Sequence, residues 1–442
     1  MRYPVGSKGL FMSIPLKISG FVDYTEKENR LFSYWKKQLE DTYRLFGFMA
    51  FNPRPVESIA ALQSKGGIAH QIYTLGRLQD GSMTDLALPF DRTIPLAIYV
   101  AAHRHELTYP FKRFDISHSF RGERPQTGRF RGFIQADLDI IDENLSILSE
   151  IDCLEALITG LEKLQIPSFT VHINHIGIPK ALIQKMGVPE ALLPDTLRII
   201  DKMDKIGFEE VRKELQLLLP EVNLDMLELF TFKGSLTDFL QKAPTCVQEI
   251  PGFASFTELF SSLDPAFFSF NPGMVRGLDY YTGLVYETFL KDYPKFGSIS
   301  SGGRYNKLID TIINQETKLE GFGISIGLTR LFDVLKKEGL LPEISAPPAQ
   351  VLVAYREVSL QKKALEVAKV LRKLDICVDL YSGKAAIGKQ ISYADKKDIP
   401  YVFMLMGESY VIKDLKNSKQ TEDITSLTLA AEKMQSFLTS SS

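Results

Sequence analysis

The stretch FRGERPQTGRFRGFIQADLDI, residues 120–140, turns from a basic loop into an apolar strand tipped with acids. Its four arginines lie at 121, 124, 129 and 131. The β-rich runs on either side of Pro125 and Gly128 predict two strands joined by a loop, which would project its arginines past the sheet. Because a basic run is usually only a solvated face, the rest of the chain must decide whether these arginines have a ligand.

Composition describes an ordinary globular protein. The chain has 442 residues, of which 45% are hydrophobic and 24% are charged. A chain of this length is expected to form about two to four domains. The formal net charge is −2, so a polyanionic ligand would have to be held by local basic clusters.

Several classes of protein are disfavoured. The three cysteines lie far apart, which argues against a disulfide framework or a thiolate metal site and fits a reducing cytoplasm. The close histidine pairs lack neighbouring acidic or cysteine ligands, so we predict no protein metal site. No apolar run approaches the roughly 20 residues that span a membrane. The first 22 residues lack an arginine-rich amphipathic pattern and are interpreted as mature chain.

The N-terminal part of the chain mixes helices and strands. Thr25 and Glu28 form a capping-box signature, and the apolar residues after them recur at helical spacing, which predicts a helix over about 26–46. Pro55 suits a strand end or a sheet edge. The pattern next predicts a short strand, a strand followed by a helix, and two β-rich runs, in 48–58, 85–103 and 109–141.

Later segments divide the chain into domains. Residues 168–255 are interpreted as an inserted helical domain, and strand signals return after them, so the first domain, 1–340, is discontinuous. A proline-rich linker follows at 341–349. In 350–442 strands alternate with helices, which predicts a small parallel α/β domain. That domain has no GxGxxG after its first strand, so a dinucleotide role is disfavoured.

Four motifs carry a family resemblance. The opening stretch resembles motif 2 of the class II aminoacyl-tRNA synthetases. The segments MVRGLDYYTGLVYE (274–287) and SISSGGRYNKL (298–308) resemble the two signatures of histidyl-tRNA synthetases, and GFGISIGLTRLF (321–332) resembles class II motif 3. The resemblance covers nearly the whole chain in the family's order, and RGLDYYTG is its most specific element.

The resemblance implies a fold and a reaction. The fold is an α+β catalytic domain with a mixed, mainly antiparallel sheet, a helical insertion and a C-terminal α/β anticodon-binding-like domain. It forms a homodimer built largely through motif 1, the N-terminal helix and the strand that follows it. The reaction joins histidine and ATP to give histidyl-adenylate and pyrophosphate, and histidine then passes to the 3′ end of tRNA(His). Mg²⁺ would enter with ATP, assisted by an acidic residue.

The resemblance also implies which residues bind ATP. The family positions match Arg121 at the α-phosphate, Glu123 and Phe133 at the adenine, Arg129 at ATP or the acceptor stem, and Arg330 at the γ-phosphate. Arg276 matches an arginine that bridges the histidine carboxylate and the α-phosphate, so Arg276 and Arg121 are the expected catalytic residues. An arginine paired with a carboxylate for structural reasons is the alternative for Arg330 and for Arg276.

Histidine would be held by a second set of residues. Asp91 and Thr93 match binders of the amino group, Gln135 of the carboxylate and Asp139 of the imidazole, while Tyr280 and Tyr281 complete the pocket and Tyr305 is a weaker candidate. Gln135 and Asp139 lie four apart, hence on one face of a strand. Asp91 taken alone could instead cap the helix that follows.

The chain departs from the family at a few positions. Pro89 stands where an arginine is usual, with Arg92 close by; Thr329 replaces a glutamate; Ser301 and Asn306 replace a small residue and an acid. A catalytically silent paralogue that binds histidine or uncharged tRNA is the alternative function, although the chain keeps Arg276 and a C-terminal domain. A related synthetase for another amino acid is disfavoured by RGLDYYTG.

Overall fold

The structure is a computed structural model that describes residues 16–63, 69–79, 81–275, 281–313, 315–344 and 347–439. The chain divides into two compact units. One contains Met1–Asp23 and Trp35–Pro342, and the other contains Tyr24–Tyr34 and Glu343–Ser442. The predicted linker at 341–349 includes the point where the division falls.

The first unit is built on a sheet of eight strands. In chain order they are β1 Met49–Ala50, β5 Phe111–Phe120, β6 Gly132–Asp142, β7 Phe169–His175, β8 Phe268–Phe270, β9 Leu284–Leu290, β10 Ser300–Arg304 and β11 Glu320–Ile326. Their spatial order is β1-β5-β6-β11-β10-β9-β7-β8. Only the two edge pairs, β1 with β5 and β7 with β8, are parallel. The prediction of a mixed, mainly antiparallel sheet is confirmed.

The two faces of this sheet differ in chemistry. Ala136, Leu138 and Ile140 of β6 are fully buried on one face, and the alternate residues Gln135, Asp137 and Asp139 point to the other, as the period of two along a strand requires. The neighbouring strands are in register: Asp137 lies between Asp115 of β5 and Ser325 of β11. One face is therefore apolar core, and the opposite face carries polar and charged groups.

Helices pack on both faces of this sheet: Leu96, Ala97 and Val100 share a buried cluster with Ile141, which lies on the same face as Asp139. The first-unit helices are α2 Ile59–Gln63, α3 Thr93–His103, α4 Ile147–Lys163, α5 Gly177–Lys185, α6 Leu193–Ile200, α7 Met203–Ile206, α8 Phe208–Leu218, α9 Leu236–Lys242, α10 Phe253–Ser262, α11 Leu308–Ile313 and α12 Leu328–Lys337. Of these, α4 and α12 lie against β6. The long helix α1, Glu26–Leu45, adds Trp35, whose ring meets that of Phe332 edge-on at 5.3 Å between centroids, and Tyr43, which contacts Phe114.

Two further observations concern this N-terminal region. The predicted helix over 26–46 is confirmed as α1, and its capping box forms: Glu28 N donates to Thr25 Oγ1 at 3.4 Å, and Thr25 N donates to Glu28 Oε2 at 2.9 Å. A small antiparallel sheet consists of β2 Glu57–Ser58, β3 Tyr73–Gly76 and β4 Met83–Leu88, in the order β2-β4-β3. The single short strand predicted over 48–58 is instead two strands of two residues, β1 and β2, and Pro55 lies between them in neither.

The helical domain expected over 168–255 begins later than predicted. Its first residues form β7, a strand of the main sheet, and the helices start only at Gly177. The alternation of Phe169, Val171 and Ile173 with polar residues is a strand pattern, and these three side chains are buried. The predicted boundary missed it because the following ion-paired helices dominate the composition.

The second unit contains a five-stranded sheet with helices on both faces. Its strands are β12 Val351–Tyr355, β13 Val378–Leu380, β14 Tyr401–Leu405, β15 Tyr410–Asp414 and β16 Lys419–Gln420, and its helices are α13 Gln361–Lys373, α14 Ile387–Lys396 and α15 Leu427–Thr439. The parallel β12, β13 and β14 were predicted. The antiparallel β15 and β16 and the final helix were not. Apolar clusters bury α13 and α15 against one face and α14 against the other.

No helix within the described ranges is long and apolar enough to cross a membrane.

Candidate active site

A cavity of about 570 Å³ opens on the polar face of the eight-stranded sheet. Ten of the residues predicted to bind substrate line it: Asp91, Thr93, Arg121, Glu123, Arg129, Phe133, Gln135, Asp139, Tyr281 and Arg330. The weaker candidate Tyr305 lines it as well, and the remaining two, Arg276 and Tyr280, lie outside the described residues. Four separate sequence segments therefore converge on one site.

One end of the cavity is acidic. Asp137 and Asp139, each only 3% exposed, and Asp91, 7% exposed, all line it. Arg113, which is fully buried, lies across the strand from Asp139, and its Nη2 pairs with Asp139 Oδ2 at 2.7 Å. The other oxygen, Asp139 Oδ1, accepts a hydrogen bond of 2.7 Å from the hydroxyl of Tyr305. Both oxygens of this carboxylate are thus held in place.

Arg113 also organises the carboxylates around it. Its Nη2 donates to the carbonyl of Arg92 at 3.2 Å, and its Nη1 lies 3.7 Å from Asp115 Oδ2. Burial opposes the charge of Arg113, but Asp139, Asp137 and Asp115 outweigh burial and raise its pKa. Arg113 is therefore the buried counter-ion of the acidic end.

Asp137 has the most perturbed environment of these acids. Burial raises its pKa from 3.8 to about 7; Asp139 and Asp115 also raise it, while Arg113 and the hydrogen bond from Ser325 lower it. Burial likewise raises the pKa of Asp139, against the opposing effects of Arg113 and Tyr305. The acidic end therefore holds closely spaced carboxylates whose charge is costly until a cation arrives.

Gln135 is held at the cavity wall by its neighbours. Its Nε2 donates to Ser325 Oγ at 2.8 Å, and Ser325 Oγ donates to Asp137 Oδ1 at 2.6 Å. Within the described part of the chain, Gln135 Oε1 is buried and has no hydrogen-bond partner. Gln135, a residue of the cavity lining, therefore has a buried acceptor that no described group uses.

Asp91 combines two roles. Its Oδ1 accepts a hydrogen bond of 3.1 Å from the backbone N–H of Ile94, so the carboxylate caps the start of α3, as the structural alternative for this residue proposed. Asp91 nevertheless lines the cavity together with Thr93, the first residue of α3. Helix capping therefore positions the carboxylate at the cavity wall.

The other end of the cavity is basic. Arg121 follows the last residue of β5, its Nε donates to the carbonyl of Phe90 at 3.1 Å, and its guanidinium lies 5.0 Å from the ring centroid of Phe133. Arg121 therefore lies beside Phe90, whose neighbour Asp91 also lines the cavity.

The hairpin loop and the first turn of α12 complete the basic end. Arg129 Nη1 lies 3.6 Å from Glu123 Oε2, and the Arg129 side chain is 51% exposed. Arg330 donates through Nη2 to the carbonyl of Phe296. A Cβ on Gly128 of the hairpin loop would lie 3.4 Å from Arg330, so the loop packs against this arginine.

The departures from the family pattern have structural explanations. Thr329 Oγ1 accepts a hydrogen bond of 2.8 Å from the backbone N–H of Ile134, so it ties α12 to β6. Arg92 is 3% exposed, and its Nε pairs with Asp115 Oδ2 at 2.7 Å. Arg92 is therefore a buried structural arginine and does not replace the arginine absent at Pro89. Asn306 donates to Glu320, and Ser301 lines the cavity.

Two glycines at the cavity wall leave no room for a side chain. A Cβ on Gly323, which lies across the strand from Asp139, would stand 2.4 Å from Asp139 Oδ1. A Cβ on Gly302 would stand 2.0 Å from the carbonyl oxygen of Gly323. Larger residues at either position would push the carboxylate or the strand aside.

Sequence reasoning missed several polar residues of this face. Arg113 and Asp115 were treated as ordinary residues of a β-rich run, and Asp137 and Ser325 were passed over within recognised motifs. A usable signal existed: the alternating positions of β5 and β6 carry charges where a strand covered on both sides would be apolar. Their pairing across strands could be known only from the register.

Comparisons with known proteins agree with this architecture. The family model described as histidyl-tRNA synthetase matches residues 20–331, and the model described as anticodon binding domain matches residues 350–426. The histidine–tRNA ligases of Thermobifida fusca and Clostridium tetani are each 36% identical to the chain; both alignments cover 92% of the chain, with 96% and 94% of the relatives.

Two solved structures extend the comparison. A histidyl-tRNA synthetase from Nostoc sp. superposes with a TM-score of 0.82 at 31% identity, covering 97% of this chain and 99% of that one. A protein from Bacillus halodurans described as an ATP phosphoribosyltransferase regulatory subunit/histidyl-tRNA synthetase gives 0.70, covering 87% and 97%. Its identity is 19%, so it shows similarity of fold alone.

Proposed function

The chain belongs to the histidyl-tRNA synthetase family, and on that premise we propose that it is a histidine–tRNA ligase. It activates histidine with ATP to give histidyl-adenylate and pyrophosphate, and then transfers histidine to the 3′ end of tRNA(His). The observation that carries this proposal is the polarity of the cavity. Asp137 and Asp139, the latter paired with the buried Arg113, form one part of its lining, and Arg121, Arg129 and Arg330 form another.

The basic end suits the triphosphate of ATP. In the first step a carboxylate attacks the α-phosphorus, so one anion approaches another, and fixed cations must neutralise the transferring group. Arg121 is assigned to the α-phosphate, Arg330 to the γ-phosphate and Arg129 to ATP or the acceptor stem. Phe133, already under the Arg121 guanidinium, supplies a face for the adenine, with Glu123 near the base.

Arg276 is the second proposed catalytic residue. It lies outside the described residues, so its role is assigned from the family resemblance alone. A guanidinium keeps its charge and can fork onto two oxygens. In that position it would hold both the histidine carboxylate and the α-phosphate during attack. Tyr280, also outside the described residues, is assigned with Tyr281 to the histidine pocket.

The acidic end suits the two cationic parts of histidine. Asp91 and Thr93 are assigned to the ammonium group, Gln135 to the carboxylate, and Asp139 to the imidazole. Arg113 and Tyr305 hold Asp139, so its carboxylate is presented in one orientation. A pocket built on such bonds rejects analogues that cannot complete them, because its own polar atoms would be left buried and unpaired.

Magnesium is proposed to enter with ATP. Mg²⁺ takes oxygen ligands, mainly phosphate and water, with one or two carboxylates from the protein. Glu123 and Glu287 both line the cavity, so carboxylate oxygens of the required kind are present. Bound there, the ion would neutralise phosphate charge.

Three further properties are proposed. The unit that contains residues from Glu343 onwards would bind the anticodon of tRNA(His), and the match to the anticodon-binding domain model supports this.

The chain would form a homodimer through its motif 1 region. The exposed edge strand β1 supports this, as do the exposed apolar residues Leu45, Met49, Leu78, Met83 and Leu86. The chain would be cytoplasmic, consistent with its three free cysteines.

Histidine-dependent ATP–pyrophosphate exchange by the purified protein tests the function. We expect exchange with histidine and none with other amino acids, followed by charging of tRNA(His). If the protein bound histidine without exchange, it would be the silent paralogue. Light scattering after size-exclusion chromatography tests the dimer, and Leu45→Glu with Met49→Lys should convert it to a monomer.

A further inference from the structure

Three side chains at the acidic end form a continuous hydrogen-bonded chain with a defined direction. Gln135, Ser325 and Asp137 come from the neighbouring strands β6 and β11, and Ser325 lies directly across from Asp137. The two links are Gln135 Nε2 to Ser325 Oγ, 2.8 Å, and Ser325 Oγ to Asp137 Oδ1, 2.6 Å. Both lengths are those of good hydrogen bonds.

The direction follows from what each group can donate. An ionised carboxylate only accepts, so the single proton of Ser325 points to Asp137. The Ser325 oxygen must then accept from Gln135, and only the amide nitrogen of Gln135 can donate. The amide is thereby fixed with its nitrogen towards Ser325 and its oxygen, Oε1, on the opposite side. In the described part of the chain, this Oε1 is buried and has no hydrogen-bond partner.

We propose that Ser325 and Asp137 are positioning residues that hold the Gln135 amide with its unpaired acceptor turned away from Ser325, ready for the ammonium group of the amino-acid substrate. The inference rests on the proposed function for the identity of that substrate. It also refines the role expected for Gln135, because an acceptor suits an ammonium group and repels a carboxylate.

The surroundings of Asp137 make the chain sensitive to protons. The titratable and charged groups around it are Arg113 and Asp115 on β5, Asp139 on β6 and Tyr43 on α1. Burial raises the pKa of Tyr43, so Tyr43 stays neutral, and burial raises the pKa of Asp137 to about 7. Once protonated, Asp137 can donate to Ser325, the serine proton can turn to Gln135, and the amide loses its fixed direction.

The test compares two serines beside the same glutamine. Ser325→Ala breaks the chain. Ser117→Ala is the matched control, because Ser117 lies directly across β5 from Gln135 and its hydroxyl has no hydrogen-bond partner in the described part of the chain. In histidine-dependent ATP–pyrophosphate exchange, Ser325→Ala should raise KM for histidine about tenfold, the loss of one oriented hydrogen bond, and KM for ATP less than about twofold. Ser117→Ala should change both by less than about twofold.

Asp137→Asn tests the pH dependence, which would not change if Ser325 and Asp137 had only a structural role. Asparagine can donate as well as accept, so it does not impose a direction on Ser325. We divide kcat/KM for histidine of the wild type by that of Asp137→Asn. Because protonation of the substrate affects both values equally, it does not affect this ratio. This ratio should rise as the pH increases through about 7.

The outcomes separate the two proposals. A constant ratio from pH 6 to 9, or equal KM values for Ser325→Ala and Ser117→Ala, would overturn the positioning role while the ligase function stands. Absence of histidine-dependent exchange in the wild type would overturn the ligase function, and the positioning role with it.

Discussion

At the scale of the residue, a buried carboxylate is the feature that most constrains this site. Asp137 is 3% exposed and shares its surroundings with Asp115, Asp139 and the buried guanidinium of Arg113. A second buried arginine, Arg92, pairs with Asp115. Buried charges are costly, and two arginines do not fully offset three carboxylates. The strand therefore carries an unfavourable arrangement that makes sense as a site for a cationic ligand.

Asp137→Asn should stabilise the protein at alkaline pH. The pKa of Asp137 is raised from 3.8 to about 7, so between these values the folded state binds more protons than the unfolded state and stability falls as pH rises. Asparagine cannot ionise and avoids this cost. The gain in unfolding free energy should grow by about 2 kcal/mol between pH 5.5 and 8, which denaturant unfolding would measure.

The control for this prediction is Asp292→Asn, which removes an exposed carboxylate. That variant should follow the wild type at both pH values. A gain for Asp137→Asn that is equal at pH 5.5 and 8 would mean that ionisation of Asp137 does not oppose folding.

Asp139→Ala should damage histidine binding and stability together. It removes the acceptor assigned to the imidazole, so KM for histidine should rise far more than KM for ATP. It also leaves the fully buried Arg113 without its 2.7 Å partner, which typically costs about 3–5 kcal/mol. Exchange kinetics and a thermal melt on the same sample measure both effects.

Tyr305→Phe separates the two contributions. It removes the hydrogen bond to Asp139 Oδ1 but keeps the pair of Asp139 with Arg113. We expect a smaller loss of stability, about 1 kcal/mol, with KM for histidine still raised. Equal rises in the KM values for histidine and ATP in Asp139→Ala would assign Asp139 a structural role only.

At the scale of the element, the position of α12 on β6 depends on one hydroxyl. Thr329 is 4% exposed and accepts from the backbone N–H of Ile134, the residue that precedes Gln135. Thr329→Val keeps the shape and leaves a buried N–H unpaired, which should cost about 1–3 kcal/mol in a thermal or urea melt. Because Arg330 follows Thr329, KM for ATP should also rise.

Thr42→Val is the matched control for this change. Thr42 is fully buried and its hydroxyl donates to the carbonyl of Gln38 within α1, so valine removes a hydrogen bond without leaving an N–H unpaired. Its loss of stability should be smaller than that of Thr329→Val, and its KM for ATP unchanged. The reverse ranking would contradict the role given to Thr329.

Elements with a local signal could be predicted, whereas those defined by pairing could not. The capping box located α1, and Pro125 with Gly128 located the hairpin between β5 and β6, because these signals act over a few residues. The strand β7 was absorbed into the helical segment that follows it. The edge strands β15 and β16 also escaped prediction, because they form through antiparallel contacts that no spacing records.

The same distinction explains the site. Arg121, Gln135 and Asp139 belong to motifs whose family resemblance assigned them to ATP and histidine, and all three line the cavity. Arg113, Asp137 and Ser325 are notable only for what they face across the sheet. A single-residue shift in register would have moved them all to the apolar side.

At the scale of the whole molecule, the two units have separable cores. The unit that begins at Glu343 buries its own apolar clusters on both faces of its sheet. It also includes Tyr24–Tyr34, where Arg30 pairs with Asp398 at 2.6 Å and Glu26 with Lys397 at 2.9 Å. The residues of the candidate active site all belong to the other unit. Adenylate formation and anticodon recognition are thus assigned to different parts of the chain.

A chain ending at Pro342 should therefore form histidyl-adenylate but charge tRNA(His) poorly. Activation needs only the cavity, whereas tRNA binding also needs the anticodon-binding unit. The truncation removes Asp398 and Lys397, which pair with Arg30 and Glu26, so a lower melting temperature is expected. Rates must therefore be expressed per active site, by titration of the adenylate formed. As a control, the full-length Arg30→Ala variant loses the ion pair to Asp398 but keeps the C-terminal unit, and it should charge tRNA normally. Equal kcat/KM for tRNA in the truncated and full-length proteins would show that the C-terminal unit contributes nothing to charging.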